Sequence, residues 1–196
     1  MTQLQAIPFA VSPPVKKIFI RLHTRAKDLN DSERAKVESI IAEAGRLCRP
    51  CGIWRFIGAE ELPGLTGGSA GVAGFLAGCR EAVLFLVTLG PGIVSAARSE
   101  SAAGNMLRAT VFDATGSETA EAAADAFEAR LRAEFARGGR ALAGRRYSPG
   151  YGDWPLEDQR KVFELLGGNP CGVTLSENFF MKPEKTITAL IGVARE

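Results

Sequence analysis

The stretch from Ala82 to Leu89 is apolar almost throughout and is closed by Gly90-Pro91-Gly92. Eight such residues are too few for an ordinary helix, and a strand without polar alternation is buried on both faces. The reading is therefore a central strand with structure packed above and below it, stopped by a turn. Around it no regular alternation of strand and helix and no internal repeat occurs, which favours an α+β fold with a mainly antiparallel sheet over a doubly wound one. The 196 residues are read as one domain, residues 1–196.

Flanking elements follow from periodicity and punctuation. Val15 to Leu22 alternates Ile18, Ile20 and Leu22 with Lys17, Phe19 and Arg21, a period of two that predicts a strand. Asn30 with Glu33 makes a capping box at the start of a helix whose apolar positions Val37, Ile40, Ile41, Ala44 and Leu47 recur at helical spacing until Pro50. Ile53 to Ile57 reads as a short strand, and the glycine-rich Pro63 to Gly78 as a loop with a short helix. Ile93 to Ala102 and Asn105 to Asp113 read as helices. A longer helix from Glu118 to about Arg137 is expected to be capped by Thr115 or Ser117. Arg145 to Pro155 is a loop by its proline and glycine content. Leu156 to Leu166 is a helix with Asp153 placed to cap it, and Gly172 to Ser176 with Thr186 to Val193 is expected to form an antiparallel hairpin.

Composition excludes several function classes. Twenty-four basic residues against 22 acidic ones give no field strong enough to draw nucleic acid or anionic lipid, so neither nucleic acid nor membrane is an expected partner. Met1 to Pro14 lacks a basic segment followed by a long apolar run, and no later stretch reaches the length of a membrane span, which gives the expectation of a cytoplasmic protein. The four cysteines are then read as reduced thiols.

Chemistry-bearing groups are few. His23 has neither a second histidine nor a carboxylate at ligand spacing, so its expected role is structural. Cys48-Arg49-Pro50-Cys51 has redox or metal spacing but lacks four donors or a thioredoxin-like setting, and a thiol-dependent redox protein ranks last among the readings. Thr88-Leu89-Gly90-Pro91-Gly92 lacks the lysine and hydroxyl of a phosphate loop and is read as a turn. The stretch from Arg146 to Pro155 is richer. It combines a guanidinium fork, two tyrosine rings, the Ser148 hydroxyl and backbone opened by Gly150 and Gly152, a set suited to a small zwitterionic ligand carrying an aromatic ring. From spacing alone, a plain turn with a surface ion pair fits these residues equally well.

Arg146-Tyr147-Ser148-Pro149-Gly150-Tyr151-Gly152-Asp153-Trp154-Pro155, followed by Gly172 to Thr186, resembles the activation domain of cobalamin-dependent methionine synthase. Thr88-Leu89-Gly90 and Asp113 to Glu121 extend the similarity over about residues 83 to 193. The resemblance implies an S-adenosylmethionine site formed by Arg146, Ser148, Gly150 and Tyr151. Glu121 would order the arginine or a tyrosine from the long helix. Arg146 would hold the ligand's carboxylate in two bonds, backbone near Ser148 the adenine edge, and Tyr151 would pack beside the ligand. Family members fused to the synthase carry a further acid shortly before the arginine, whereas Arg140 to Arg145 contains none.

The activity implied is reductive methylation: cob(II)alamin gains an electron, and the resulting cob(I)alamin takes the methyl group of S-adenosylmethionine. The cobalamin would be carried by a separately encoded methionine synthase core or another corrinoid protein, with flavodoxin or ferredoxin as electron donor. No catalytic acid or base is then expected of this chain. A competing reading keeps the fold and drops the ligand, leaving a non-catalytic binding partner or chaperone of a corrinoid methyltransferase.

Overall fold

The computed structural model describes residues 5–194; Met1 to Leu4, part of the amino-terminal stretch read above, lie outside them. Fourteen helices and strands can be followed in chain order. They are β1 (Ile7–Pro8), α1 (Val15–Arg21), α2 (Asp31–Leu47), β2 (Cys51–Ile57), α3 (Leu62–Thr66), α4 (Ala70–Phe75) and β3 (Glu81–Thr88), then α5 (Gly92–Ala102), α6 (Met106–Arg137), β4 (Leu142–Tyr147), α7 (Gln159–Leu165), β5 (Thr174–Leu175), β6 (Met181–Lys182) and β7 (Thr186–Val193). Five strands form one sheet in the order β1-β2-β3-β7-β4, with every neighbouring pair antiparallel. The fold is α+β, as read from the sequence.

β3 is the middle strand and its side chains divide between two cores. Val83, Phe85 and Val87 join Ile41 of α2, Phe112 and Phe127 of α6 and Trp54 of β2 on one face. Leu84 and Leu86 join Leu65 of α3, Val72 of α4, Val162 of α7 and Trp154 on the other. Helices on both faces remove the polar alternation that a half-exposed strand requires, which is why the run is apolar throughout.

Four local expectations are corrected. Val15 to Leu22 is helix rather than strand, because the inward residues Ile18 and Phe19 are adjacent while Ile20 is 73 % exposed. Val15, Ile18, Phe19 and Leu22 fit the i, i+3, i+4, i+7 template, which alternation of hydrophobic residues had masked. The two helices expected on either side of Thr115 are one 32-residue helix, α6. Thr115 turns its hydroxyl back to the Val111 carbonyl at 2.7 Å instead of capping a new helix. Ser117 accepts from Lys185 Nζ at 2.9 Å, and Gly116 leaves room for that lysine and for Ile93, either of which a Cβ would meet within 3.2 Å.

The segment expected to be loop from Arg145 begins as strand, since Arg145 to Tyr147 close β4. Finally, Thr174-Leu175 pairs with Met181-Lys182 and not with Thr186 to Val193, which instead enters the main sheet between β3 and β4. The Asn30 capping box forms as read: Glu33 N–H donates to Asn30 Oδ1 at 2.9 Å and Asn30 N–H to Glu33 Oε2 at 3.0 Å. Among the described residues no helix is long and apolar enough to cross a membrane.

Candidate functional site

β4 ends at Tyr147 and runs into a tight loop that closes on itself. Tyr151 N–H donates to Ser148 O at 3.3 Å, Trp154 N–H to Tyr151 O at 3.0 Å and Gly150 N–H to Trp154 O at 2.8 Å. Gly150 holds φ 90°, a conformation that costs other residues dearly, so the turn depends on it. Trp154 anchors the loop from below. Its ring stacks on Tyr147 with centroids 6.2 Å apart, and its Nε1–H donates to Asp158 Oδ2 at 3.0 Å.

Between this loop, the start of α7, β7 and the middle of α6 lies a cavity of about 340 Å³. Glu121, Arg146, Ser148 and Tyr151 all line it; Gly150 does not, and contributes the turn instead. The volume is in the range of small-molecule sites. Ser148 is half-buried and spends its hydroxyl on the Thr188 carbonyl at 2.6 Å, tying the loop to β7. Tyr151 stands at the rim, 67 % exposed.

Arg146 is the electrostatic centre. Nη2 meets Glu121 at 2.7 Å, and Nη1 meets Asp125 at 2.6 Å and Glu128 at 3.2 Å. Burial opposes the charge on this side chain, but the hydrogen bonds to Asp125, Glu121 and Glu128 outweigh it and raise the arginine's pKa further. Glu121 pairs with the arginine, and so do Asp125 and Glu128, which the sequence reading does not single out. Their spacing, i, i+4 and i+7 from Glu121, puts all three carboxylates on one helix face and was available in the sequence. Three of the five guanidinium N–H donors are engaged, leaving two without a protein acceptor among the described residues.

Asp153 does not cap the following helix. Its carboxylate accepts from Ser69 Oγ at 2.5 Å and from the Gly71 N–H at 3.1 Å, fastening the loop to the start of α4. The Ser69 hydrogen bond, then that of Gly71, holds this carboxyl below the usual aspartate range. A depressed pKa stabilises the folded state above the ordinary aspartate pKa of about 4, and that contribution disappears as pH falls through the lower folded value. Asp153→Asn is therefore expected to lower the melting temperature slightly at neutral pH and to flatten its decline on acidification. Melting curves between about pH 2 and pH 6 would show this, and an unchanged acid slope would sink the assignment.

The other groups singled out in the sequence lie elsewhere. Cys48 is buried in the helical core and burial pushes its thiol up to about 11. The neighbour of Cys51 is Cys171, with sulfurs 3.0 Å apart. His23 lies just past α1 at φ 53°, its N–H donating to the Ile20 carbonyl at 3.0 Å. Among the described residues no group of three or more His, Cys, Asp or Glu could hold a metal ion. Gln159 and Thr188, buried polar residues that line the cavity, were not singled out. Thr188 carries a signal, polarity inside the otherwise apolar run Thr186 to Val193, whereas Gln159 stands among the charged Asp158, Arg160 and Lys161 and carries none.

Comparison with known proteins agrees with this architecture. No curated protein matches the chain. Among solved structures, the MetH reactivation domain bound to AdoHcy superimposes with a TM-score of 0.61 at 15 % identity, over 96 % of this chain and 77 % of that one. At that identity the likeness establishes the shared fold. A sequence family described as vitamin B12 dependent methionine synthase, activation domain, matches residues 76–196. That match takes in the sheet from β3 onward, the long helix and the whole loop around Arg146, and the chain belongs to the family of vitamin B12 dependent methionine synthase activation domains.

Proposed function

We propose that this chain is an S-adenosylmethionine-binding module that supports reductive methylation of a cobalamin carried by a partner protein. The observation that carries the reading is the convergence of Glu121, Arg146, Ser148 and Tyr151 on one cavity of about 340 Å³, in a member of the activation-domain family. AdoHcy, the ligand of the structural relative, is S-adenosylmethionine without its transferable methyl group.

The residues fit such a ligand chemically. The two uncommitted N–H groups of Arg146 supply a fork for the amino-acid carboxylate. Glu121 on α6 adds a carboxylate to the cavity wall, which suits a ligand whose sulfonium and ammonium outnumber its one carboxylate. Backbone near Ser148 is fixed by the hydroxyl bond to β7 and presents polar groups to the base, and Tyr151 packs at the open side. When bound to the partner, the corrinoid supplies the nucleophile, so the chain's task is to hold the methyl donor in position and no general base is required. Exposed Tyr151, at 67 %, gives the mouth an aromatic rim suited to docking a partner.

The corrinoid partner in this reading is a separately encoded methionine synthase core or another corrinoid protein, with flavodoxin or ferredoxin as electron source, and the setting is the cytoplasm. A second reading, a binding partner that takes no S-adenosylmethionine, draws support from the three internal carboxylates that already satisfy most of Arg146. Calorimetric titration of the wild-type protein separates the two. Saturable binding of S-adenosylmethionine is expected; no binding, alone or with a candidate synthase core present, would leave the second reading standing.

A further inference from the structure

The floor of the cavity holds an amide whose hydrogen-bonding capacity is only half used. Gln159, the first residue of α7, is 3 % exposed, and Thr188 of β7 is 1 % exposed, yet both line the cavity. They are bonded to each other: Gln159 Nε2 donates to Thr188 Oγ1 at 2.8 Å, and the same hydroxyl donates to Gln159 Oε1 at 3.0 Å. A carboxamide has two N–H donors and two carbonyl lone pairs. The threonine contact occupies one of each, whichever way round the amide nitrogen and oxygen are assigned. One donor and one acceptor are left with no protein partner among the described residues.

A buried amide with an open edge is costly unless something completes it, because the group has lost its water without full replacement. Here the edge is also held still. Thr188 sits in register opposite Leu86 of β3, and its carbonyl accepts the Ser148 hydroxyl at 2.6 Å, so the residue that orients Gln159 is fixed on two sides. A rigid donor beside an acceptor is the complement of an adenine edge, whose exocyclic amine donates while a ring nitrogen accepts.

We propose that Gln159, oriented by Thr188, reads the purine base of the ligand and sets the selectivity of the cavity for an adenosyl group. This rests on the reading of the cavity as an S-adenosyl site. It adds a side chain to the backbone groups near Ser148. Thr188 is a positioning residue; Gln159 makes the contact.

The test compares two ligands that differ only in the base: S-adenosylhomocysteine and S-ribosylhomocysteine, which keeps the ribose, sulfur and amino acid. Wild type, Gln159→Leu and the near-isosteric Gln159→Glu are titrated with the first, and the second is measured by competition. Both variants are expected to lose roughly ten- to hundred-fold in affinity for S-adenosylhomocysteine, the worth of one bidentate contact, and to keep their affinity for the base-free ligand. Equal losses for both ligands would mark Gln159 as a structural residue and overturn the assignment, as would variants that bind S-adenosylhomocysteine like wild type. Wild type that binds neither ligand would remove the S-adenosyl reading itself, a failure distinguishable from that of Gln159 alone.

Discussion

Arg146→Ala is expected to reduce S-adenosylmethionine affinity by at least roughly a hundred-fold and to destabilise the fold by about 2 kcal/mol. The stability loss arises because Glu121, Asp125 and Glu128, all within 3.2 Å of the guanidinium, lose the cation they share, while Glu128 keeps Arg132 at 2.7 Å and Asp125 keeps Lys17 at 4.0 Å. The magnitude lies between that of a surface pair and that of a fully buried one, since the arginine is half-buried. Arg146→Lys keeps a charge but not the fork, and should restore more stability than affinity. Arg145→Ala is the control: this neighbour is exposed and has no ion pair among the described residues. Titration calorimetry and denaturant unfolding on the same preparations measure the two effects separately. Affinity retained in Arg146→Ala would mean that the arginine only braces β4 against α6.

Trp154→Ala is expected to cost about 4 kcal/mol, the usual loss for a large aromatic removed from a core. The side chain is 1 % exposed, stacks on Tyr147 and donates to Asp158, so its removal leaves a cavity and takes one partner from the Asp158 carboxylate, which keeps Lys161 at 2.9 Å. The loop over the ligand cavity is tied through the Trp154 carbonyl to a residue that the alanine variant no longer anchors by its ring, so binding should fall with stability. Trp154→Phe refills part of the volume without restoring the donor and is expected to recover about half the loss. Fluorescence of Trp54, the other tryptophan, reports unfolding in both variants. A loss below about 1 kcal/mol in the alanine variant would show that the loop is held by its backbone bonds alone.

Much of the architecture could be read from local signals where one pattern had one meaning. The unbroken apolar run of β3 and the Asn30 box are such cases. Reading failed where two templates shared the same residues. Val15 to Leu22 fits both periods, and only the packing of Ile18 and Phe19 against the helical core decides between them. It failed again where a tertiary contact overrode a local preference. Thr115-Gly116-Ser117 looks like a helix start, yet Lys185 and Ile93 press against Gly116 and the helix continues through. For the cavity, the family resemblance pointed to Arg146, Ser148, Tyr151 and Glu121, which line it, and to Gly150, which does not. The amide of Gln159 could not be foreseen, because its partner lies 29 positions away and one residue names neither the contact nor the cavity.

The place of β7 bears on how the molecule comes into being. It lies between β3 and β4, and both neighbours precede it in the chain, β3 by about a hundred residues. During translation the two older strands have no bridge until residues 186–193 leave the ribosome, and pairing across so long an interval of chain slows folding. α6 and α2 can assemble against β2 and β3 beforehand, since their residues are already present. Thr188 arrives with the last-made strand of the sheet, so a nascent chain halted before Thr186 lacks the floor of the cavity however well its helices have formed.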